Sequence, residues 1–373
     1  MTLAAPSTIE ARKAEAATIF GSHGVPSRRV EEWKYSDLKV ALGEAGIGTE
    51  QALWQVDAVP DGVTLFDLSK DGAPDWVQKH FAVADRNIMG AASLALSDGG
   101  VALRVAKGAQ VSAPLKLAFH GAGHVRGLLV LEAGASLTLV ESVGVADFRN
   151  VGFEIVLGEG ASLEHIRISP EAADAVLVEE VSLRIAADGR YRAHFAGFGS
   201  KLSRMELEIA LEGEGAEAHL SGVSVLSGDN HADITTRVTH AVGNTQSTQL
   251  FKKVAGGKSR AIYQGKVTVA KGANGADSRQ TAKALLLGTR AEADLKPELE
   301  IFADDVKCAH GAAVGDLDAD SLFYLRARGI SEKDARHLLI HAFLEDALTD
   351  IANVDLREAV RGAVSAALSE VAA

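Results

Sequence analysis

The chain has 373 residues, a net charge of −12 and a single cysteine; 47% of its residues are hydrophobic, 5% are aromatic, and 37 are glycine. This composition supplies a large core and excludes a disordered or collagen-like polymer, and the negative charge argues against broad capture of nucleic acid or anionic membrane. One cysteine cannot close an internal disulfide, no apolar run approaches the roughly 20 residues that span a bilayer, and the N-terminal stretch lacks a secretory pattern, so a cytoplasmic setting is expected.

Residues 1–98 read as a mostly helical region. "STIEARKAEAATIF" offers Ser7 as a cap with Glu10 three positions on, "EEWKYSDLKVALGEAG" is a second helix-like stretch, and "GVTLFDL" is one short strand. Over residues 99–315 the pattern changes. Glycine-centred turns recur at Gly108, Gly134, Gly160, Gly189, Gly215, Gly243 and Gly272, with spacings of 26, 26, 29, 26, 28 and 29 residues. Their flanks, such as "GLLVLEAGASLTLVES", alternate apolar and polar residues at period two. One short coil cannot bury its apolar face alone, so the repeat predicts stacked coils, a mainly β fold with a parallel β-helix core. An antiparallel sandwich or barrel is the competing architecture, and the near-constant period favours the solenoid.

Residues 316–373 turn helical again. "DADSLFYLRARG" ends at Gly329, a C′ position, and "SEKDARHLLIHAFLEDAL" opens with Ser331 and Asp334 in capping-box spacing. Ala335, Leu338, Leu339, Ala342 and Phe343 form an apolar stripe. Such helices suit either a cap on the last coil or a partner-docking surface.

The chemistry worth weighing centres on Cys308 and His310 in "VKCAHG". Thiol and imidazole suit soft or borderline metals and sulfur chemistry. On an extended strand, residues two apart share a face but lie roughly 6.6 Å apart, too far for a self-contained nucleophile–base pair. A metal or sulfur site completed by another chain competes evenly with a buried cysteine beside a turn histidine. Other motifs fall away. "VAGGKSR" has Lys252 where a phosphate loop needs its first glycine, "GAGHVRG" has Arg126 where a dinucleotide loop needs its third, and Asp304 with Asp305 reads as a solvated turn. His337 and His341 are one helical turn apart, but Leu338 replaces the glutamate of the hydrolytic zinc motif, and the pair reads as a polar helix face.

The stretch "ADLKPELEIFADDVKCAHGAAVGDLDADSLFYLRARGISEKDARHLLIHAFLEDAL" resembles the SufB/SufD family of SUF iron–sulfur cluster assembly scaffolds, on its SufD side. "RRVEEWKYSDL", "HADITTRVTHAVGNTQSTQLFKKV" and "RAIYQGKVTVAKGANGADSRQTAKALLL" agree, so the resemblance runs from Arg28 to about Leu348, with Ser36 standing where threonine is frequent. The resemblance implies a right-handed parallel β-helix between helical regions and a non-enzymatic role that aids iron acquisition. It implies a SufB-like scaffold meeting the β-helix end, with Cys308 and His310 near that interface holding iron or a nascent cluster. It also implies a SufC-like ABC ATPase docking on the C-terminal helices, which points to Leu322, Phe323, Leu325, Arg328, Leu338, Leu339 and Phe343. No cofactor is expected to bind the isolated chain tightly; iron or a cluster would be transient, and the isolated chain is open to homodimer formation. The nearest alternative is a SufB-type paralogue, disfavoured by the single cysteine and by Gly311 after His310. A β-helix polysaccharide lyase or hydrolase is the alternative from another class; it would need clustered carboxylates and aromatics along a groove.

Overall fold

Period-two alternation broken by regular turns produces a two-sheet coil. The computed structural model describes residues 8–83, 87–144, 146–170 and 172–371, which form a β-solenoid of about eight turns with helices towards both termini. From Gly100–Val105 onward successive strands alternate between two nine-stranded sheets. The first sheet runs from Leu53–Val56 and Leu115–His120 to Ala276–Leu286 and Val306–Gly315. The second runs from Val63–Asp67 and Gly100–Val105 to Arg260–Val269 and Glu292–Ile301. Beyond the two pairings that open the sheets, every strand pairing is parallel.

The tight turns stack through their backbones. The N–H groups of Gly108, Gly134 and Gly160 donate to Ala133, Glu159 and Ala187 carbonyls of the next coil, at 2.9, 2.8 and 2.8 Å. These glycines hold φ of 71°, 69° and 63°, the left-handed region. In two later coils the expected glycine is not the left-handed residue. Asp188 (φ 54°) takes that place beside Gly189, and Asn244 (φ 55°) beside Gly243. Asp and Asn are the side chains that tolerate this conformation best. Asn244 then donates to the Asn274 carbonyl at 2.9 Å, so Gly275, and not Gly272, continues the stack.

Aliphatic ladders fill the interior, among them Leu103, Leu117, Leu129, Leu139, Leu163 and Leu183, each at most 1% exposed. Polar side chains that enter it are bonded. The His165 ring lies 2.8 Å from the Glu141 carboxylate through Nε2 and 3.0 Å from the Tyr191 hydroxyl through Nδ1.

Helices α1 (Ile9–His23), α2 (Leu38–Leu42), α3 (Asp75–His80) and α4 (Ile88–Leu96) precede the coil. Ser7 lies outside the described residues, and Thr8 caps α1 by accepting from the Ala11 N–H at 3.2 Å. The strand expected in "GVTLFDL" forms at Val63–Asp67, and an unexpected one forms at Leu53–Val56. Each joins its sheet antiparallel and so closes the first coil. The intervening "EEWKYS" segment is latched onto the second sheet. Trp33 is buried, with the Arg204 guanidinium 4.3 Å from its ring centroid. Arg204 donates to Glu206 at 2.8 and 2.5 Å, to Asp233, and to the Glu32 carbonyl at 2.7 Å. The Ser36 hydroxyl donates to Asp233 at 2.6 Å and lies 2.9 Å from His231 Nε2.

The C-terminal helices are α5 (Ala319–Ala327), α6 (Glu332–Glu345) and α7 (Val354–Val371). Their terminal signals act as read: Ser331 accepts from the Asp334 N–H at 3.1 Å, and Gly329 sits at φ 86°. α6 and α7 do not cover the last coil. They fold back along the outside of the first sheet, burying Ile340, Leu344 and Leu368 against Ile166, Val223 and Val254. The apolar stripe expected on α6 is therefore displaced. Ala335, Ile340 and Leu344 are buried, while Leu338 is 52% exposed and Ala342 is exposed. The Ile340–Leu344–Leu348 face offers more apolar area than one interrupted by two alanines, and it wins the sheet. Lys252 pins the helix by an ion pair to Asp346 at 2.5 Å and a bond to the Phe343 carbonyl at 2.7 Å.

Candidate functional site

Because the C-terminal helices turn aside, the last coil ends in two open edges. Among the described residues, Val306–Gly315 pairs only with Ala276–Leu286, and Glu292–Ile301 only with Arg260–Val269. Both edges carry unpaired backbone donors and acceptors, the usual template for pairing with another chain. Apolar side chains are exposed beside them: Ile301 (40%), Phe302 (62%) and Val314 (47%).

Cys308 and His310 lie on the Val306–Gly315 edge. Cys308 is half-buried and packs against the solenoid core, whereas His310 is exposed. Below them run two polar columns. Cys308 is in register with Ser278, and Ser278 with Ser247; His310 is in register with Gln280, and Gln280 with Gln249. The hydroxyls of Ser247 and Ser278 are 2.8 Å apart, and His240 Nε2 lies 2.9 Å from Ser247. In the second column Gln280 Nε2 donates to the Tyr263 hydroxyl at 2.9 Å, and that hydroxyl donates to Gln249 Oε1 at 3.0 Å. Thr236 donates to the same Oε1 at 2.6 Å. All seven side chains beneath the pair are buried. These residues escaped the sequence reading although a signal exists. "QSTQ", "DSRQ" and "KCAH" place polar residues at the same two inward positions of three successive coils, where the preceding coil has Ala218 and Leu220.

Burial pushes the Cys308 thiol above its ordinary range, with a hydrogen bond from the Ser278 backbone opposing and the Asp277 charge adding. The thiol is therefore protonated at neutral pH, and a nearby cation is what would ionise it. Among the described residues, no group of three or more His, Cys, Asp or Glu is gathered to hold a metal. Cys308 and His310 can contribute at most two ligands, and a closed coordination sphere needs more.

On α5 and α6, Phe323 is 75% exposed, and Arg328 is exposed, donating to the Tyr324 hydroxyl at 2.8 Å. Leu338 also faces outward. Leu322, Leu325 and Leu339 are half-buried, and Phe343 turns toward the solenoid, where Lys252 Nζ lies 4.6 Å from its ring centroid. The "VAGGKSR" segment is a turn between two strands, with Gly257 at φ 64°, and Asp304 and Asp305 lie in an exposed turn, both as read. Among the described residues no helix is long and apolar enough to cross a membrane.

Fold and edge together define a parallel β-solenoid whose uncapped terminal coil presents a thiol and an imidazole. Residues 118–343 match the SUF system FeS cluster assembly, SufBD core domain, and the chain belongs to the SufBD family. It is 31% identical over 371 residues to the iron–sulfur cluster assembly protein SufD of Escherichia coli, an alignment covering 88% of this chain and 86% of that protein. An iron–sulfur cluster assembly SufBD family protein of Synechocystis is 34% identical over 254 residues, covering 64% of this chain but only 55% of that protein. A SufBD family protein of Mycobacterium leprae is 25% identical over 366 residues, covering 91% and 90%.

Proposed function

We propose that this chain is a non-catalytic scaffold subunit of iron–sulfur cluster assembly, the SufD-type half of a complex with a SufB-like scaffold and a SufC-like ABC ATPase. The carrying observation is the position of Cys308 and His310 on the unpaired edge of the terminal coil. Iron or a nascent cluster is cargo in this reading. One thiolate and one imidazole from this chain leave its coordination incomplete, and a second scaffold abutting the open edge would supply the remainder. The positive charge of the cargo would also ionise a thiol that burial otherwise keeps protonated. The relatives' role in iron–sulfur assembly supports the same reading, and SufD-type is preferred to SufB-type on the alignment with the E. coli protein. The ATPase would dock on α5 and α6 through Phe323, Arg328 and Leu338, with Leu322, Leu325 and Leu339 beneath and Phe343 anchoring the helix.

The test is complementation of a SUF-deficient strain by Cys308→Ser and His310→Ala, beside pull-down of the SufB-like and SufC-like subunits. Both variants should retain the complex and fail to support cluster assembly; full complementation by both rejects the site. For the ATPase surface, deleting residues 317–373 would also strip the cover from Val223 and Val254. The cleaner variant is Phe323→Asp with Leu338→Asp, which should lose the SufC-like subunit alone. Undiminished ATPase recovery would reject that surface.

A further inference from the structure

His337 and His341 stand one turn apart on α6, with Ser365 of α7 behind them. Their Nε2 atoms are 2.9 Å apart, their rings stack with centroids 4.7 Å apart, and the Ser365 hydroxyl lies 3.4 Å from His341 Nε2. In a neutral pair one Nε2–H donates to the other's lone pair, which brings the two Nε2 atoms side by side on one flank of the helix. Ile340 and Leu344, each three residues from one of the pair and so beside it on the helix surface, are buried against the solenoid, and the pair sits on a rigid element, the placement that preorganises a ligand set.

We propose that His337 and His341 form a binding site for a divalent late first-row transition ion with cis coordination, Cu2+ or Ni2+. Metal–nitrogen bonds of about 2.1 Å across this 2.9 Å separation subtend about 90°, the cis angle of a square-planar or octahedral centre. A tetrahedral zinc ion would need the nitrogens about 3.4 Å apart. The ion takes the place of the Nε2 proton between the rings; the ring that carried it switches tautomer, giving that proton to solvent and taking one up at Nδ1, so both imidazoles bind neutral through Nε2. Water fills the remaining positions, with the Ser365 hydroxyl placed to hold one of them. Glu345 is not a ligand, because Arg361 holds its carboxylate. The site shares no residue with the Cys308–His310 pair or with the proposed ATPase surface.

The test is calorimetric titration of the full chain with CuCl2, NiCl2 and ZnCl2 separately. A Cys308→Ser, His310→Ala background removes the end pair as a competing ligand set. One equivalent of Cu2+ or Ni2+ should bind, each more tightly than Zn2+, and the Cu2+ spectrum should show two bound nitrogens. His337→Gln and His341→Gln should each weaken binding at least about tenfold while leaving helix content unchanged. Absence of saturable binding, affinity unaffected by either substitution, or zinc as the tightest ion would each overturn the proposal.

Discussion

Asp233→Ala tests the latch that ties the N-terminal segment to the solenoid. Asp233 is 1% exposed, and its carboxylate receives bonds from Arg204, from Ser36 at 2.6 Å and from Thr235 at 3.2 Å. Burial works against its charge, but Arg204 and Ser36 more than compensate and hold the carboxyl below its usual range. Removing one member of a buried ion pair costs about 3–5 kcal/mol, because the other charge stays behind without its partner. Here Arg204 would keep Glu206 and the Glu32 carbonyl, which places the loss near about 3 kcal/mol. Ser36→Ala removes one hydrogen bond to a charged acceptor, about 1.5–2 kcal/mol. Since that bond ends on Asp233, the two losses should not add. The double variant should cost only slightly more than Asp233→Ala alone, by the Ser36–His231 contact, leaving a coupling energy of about 1.5 kcal/mol. Urea denaturation followed by circular dichroism reads these losses as shifts in midpoint at constant slope. A cost below about 1 kcal/mol for Asp233→Ala, or strict additivity in the double variant, would refute the latch as described.

Stability should fall as the solution is acidified from about pH 6.5 to about 4, because burial first of all holds His194, His231 and His240 near about 4. Above their unfolded pKa these rings are neutral in both states; below it only the unfolded chain takes up protons, so each contributes a loss approaching about 1.4 kcal/mol per pH unit. Denaturation midpoints unchanged across that window would contradict the assignment. Alkylation of Cys308 by iodoacetamide should be slow at neutral pH and rise about tenfold per pH unit through pH 8, and a plateau near neutrality would show an ionised thiol instead.

Much of the solenoid was legible because its physics is local and repeated. Alternation and turn glycines recur in each coil, and a one-residue change, such as Asp188 or Asn244 taking the left-handed place, leaves the period intact. The Cys308–His310 pair drew attention as a candidate for a different reason: rare side chains stand out whatever surrounds them. What could not be read was decided by contacts distant in sequence. Leu53–Val56 is only four residues of alternating exposed and half-buried side chains, and its strand state comes from pairing with Leu115–His120. The buried face of α6 depended on which of two apolar stripes met the sheet. Ser278 and Gln280 look like ordinary surface polar residues until the coils are aligned one above another.

The two ends of the solenoid differ in polarity, and this limits the assemblies the chain can build. One end finishes in antiparallel strands of four and five residues, too short and wrongly directed to continue a parallel ladder. The other finishes in two ten-residue strands with open edges. Joining unlike ends would repeat without limit and give fibres, whereas joining two open ends uses up both and stops. The short reversed strands thus act as a chain terminator for self-assembly. They leave a single extendable end, so the natural product of end-to-end contact is a finite pair.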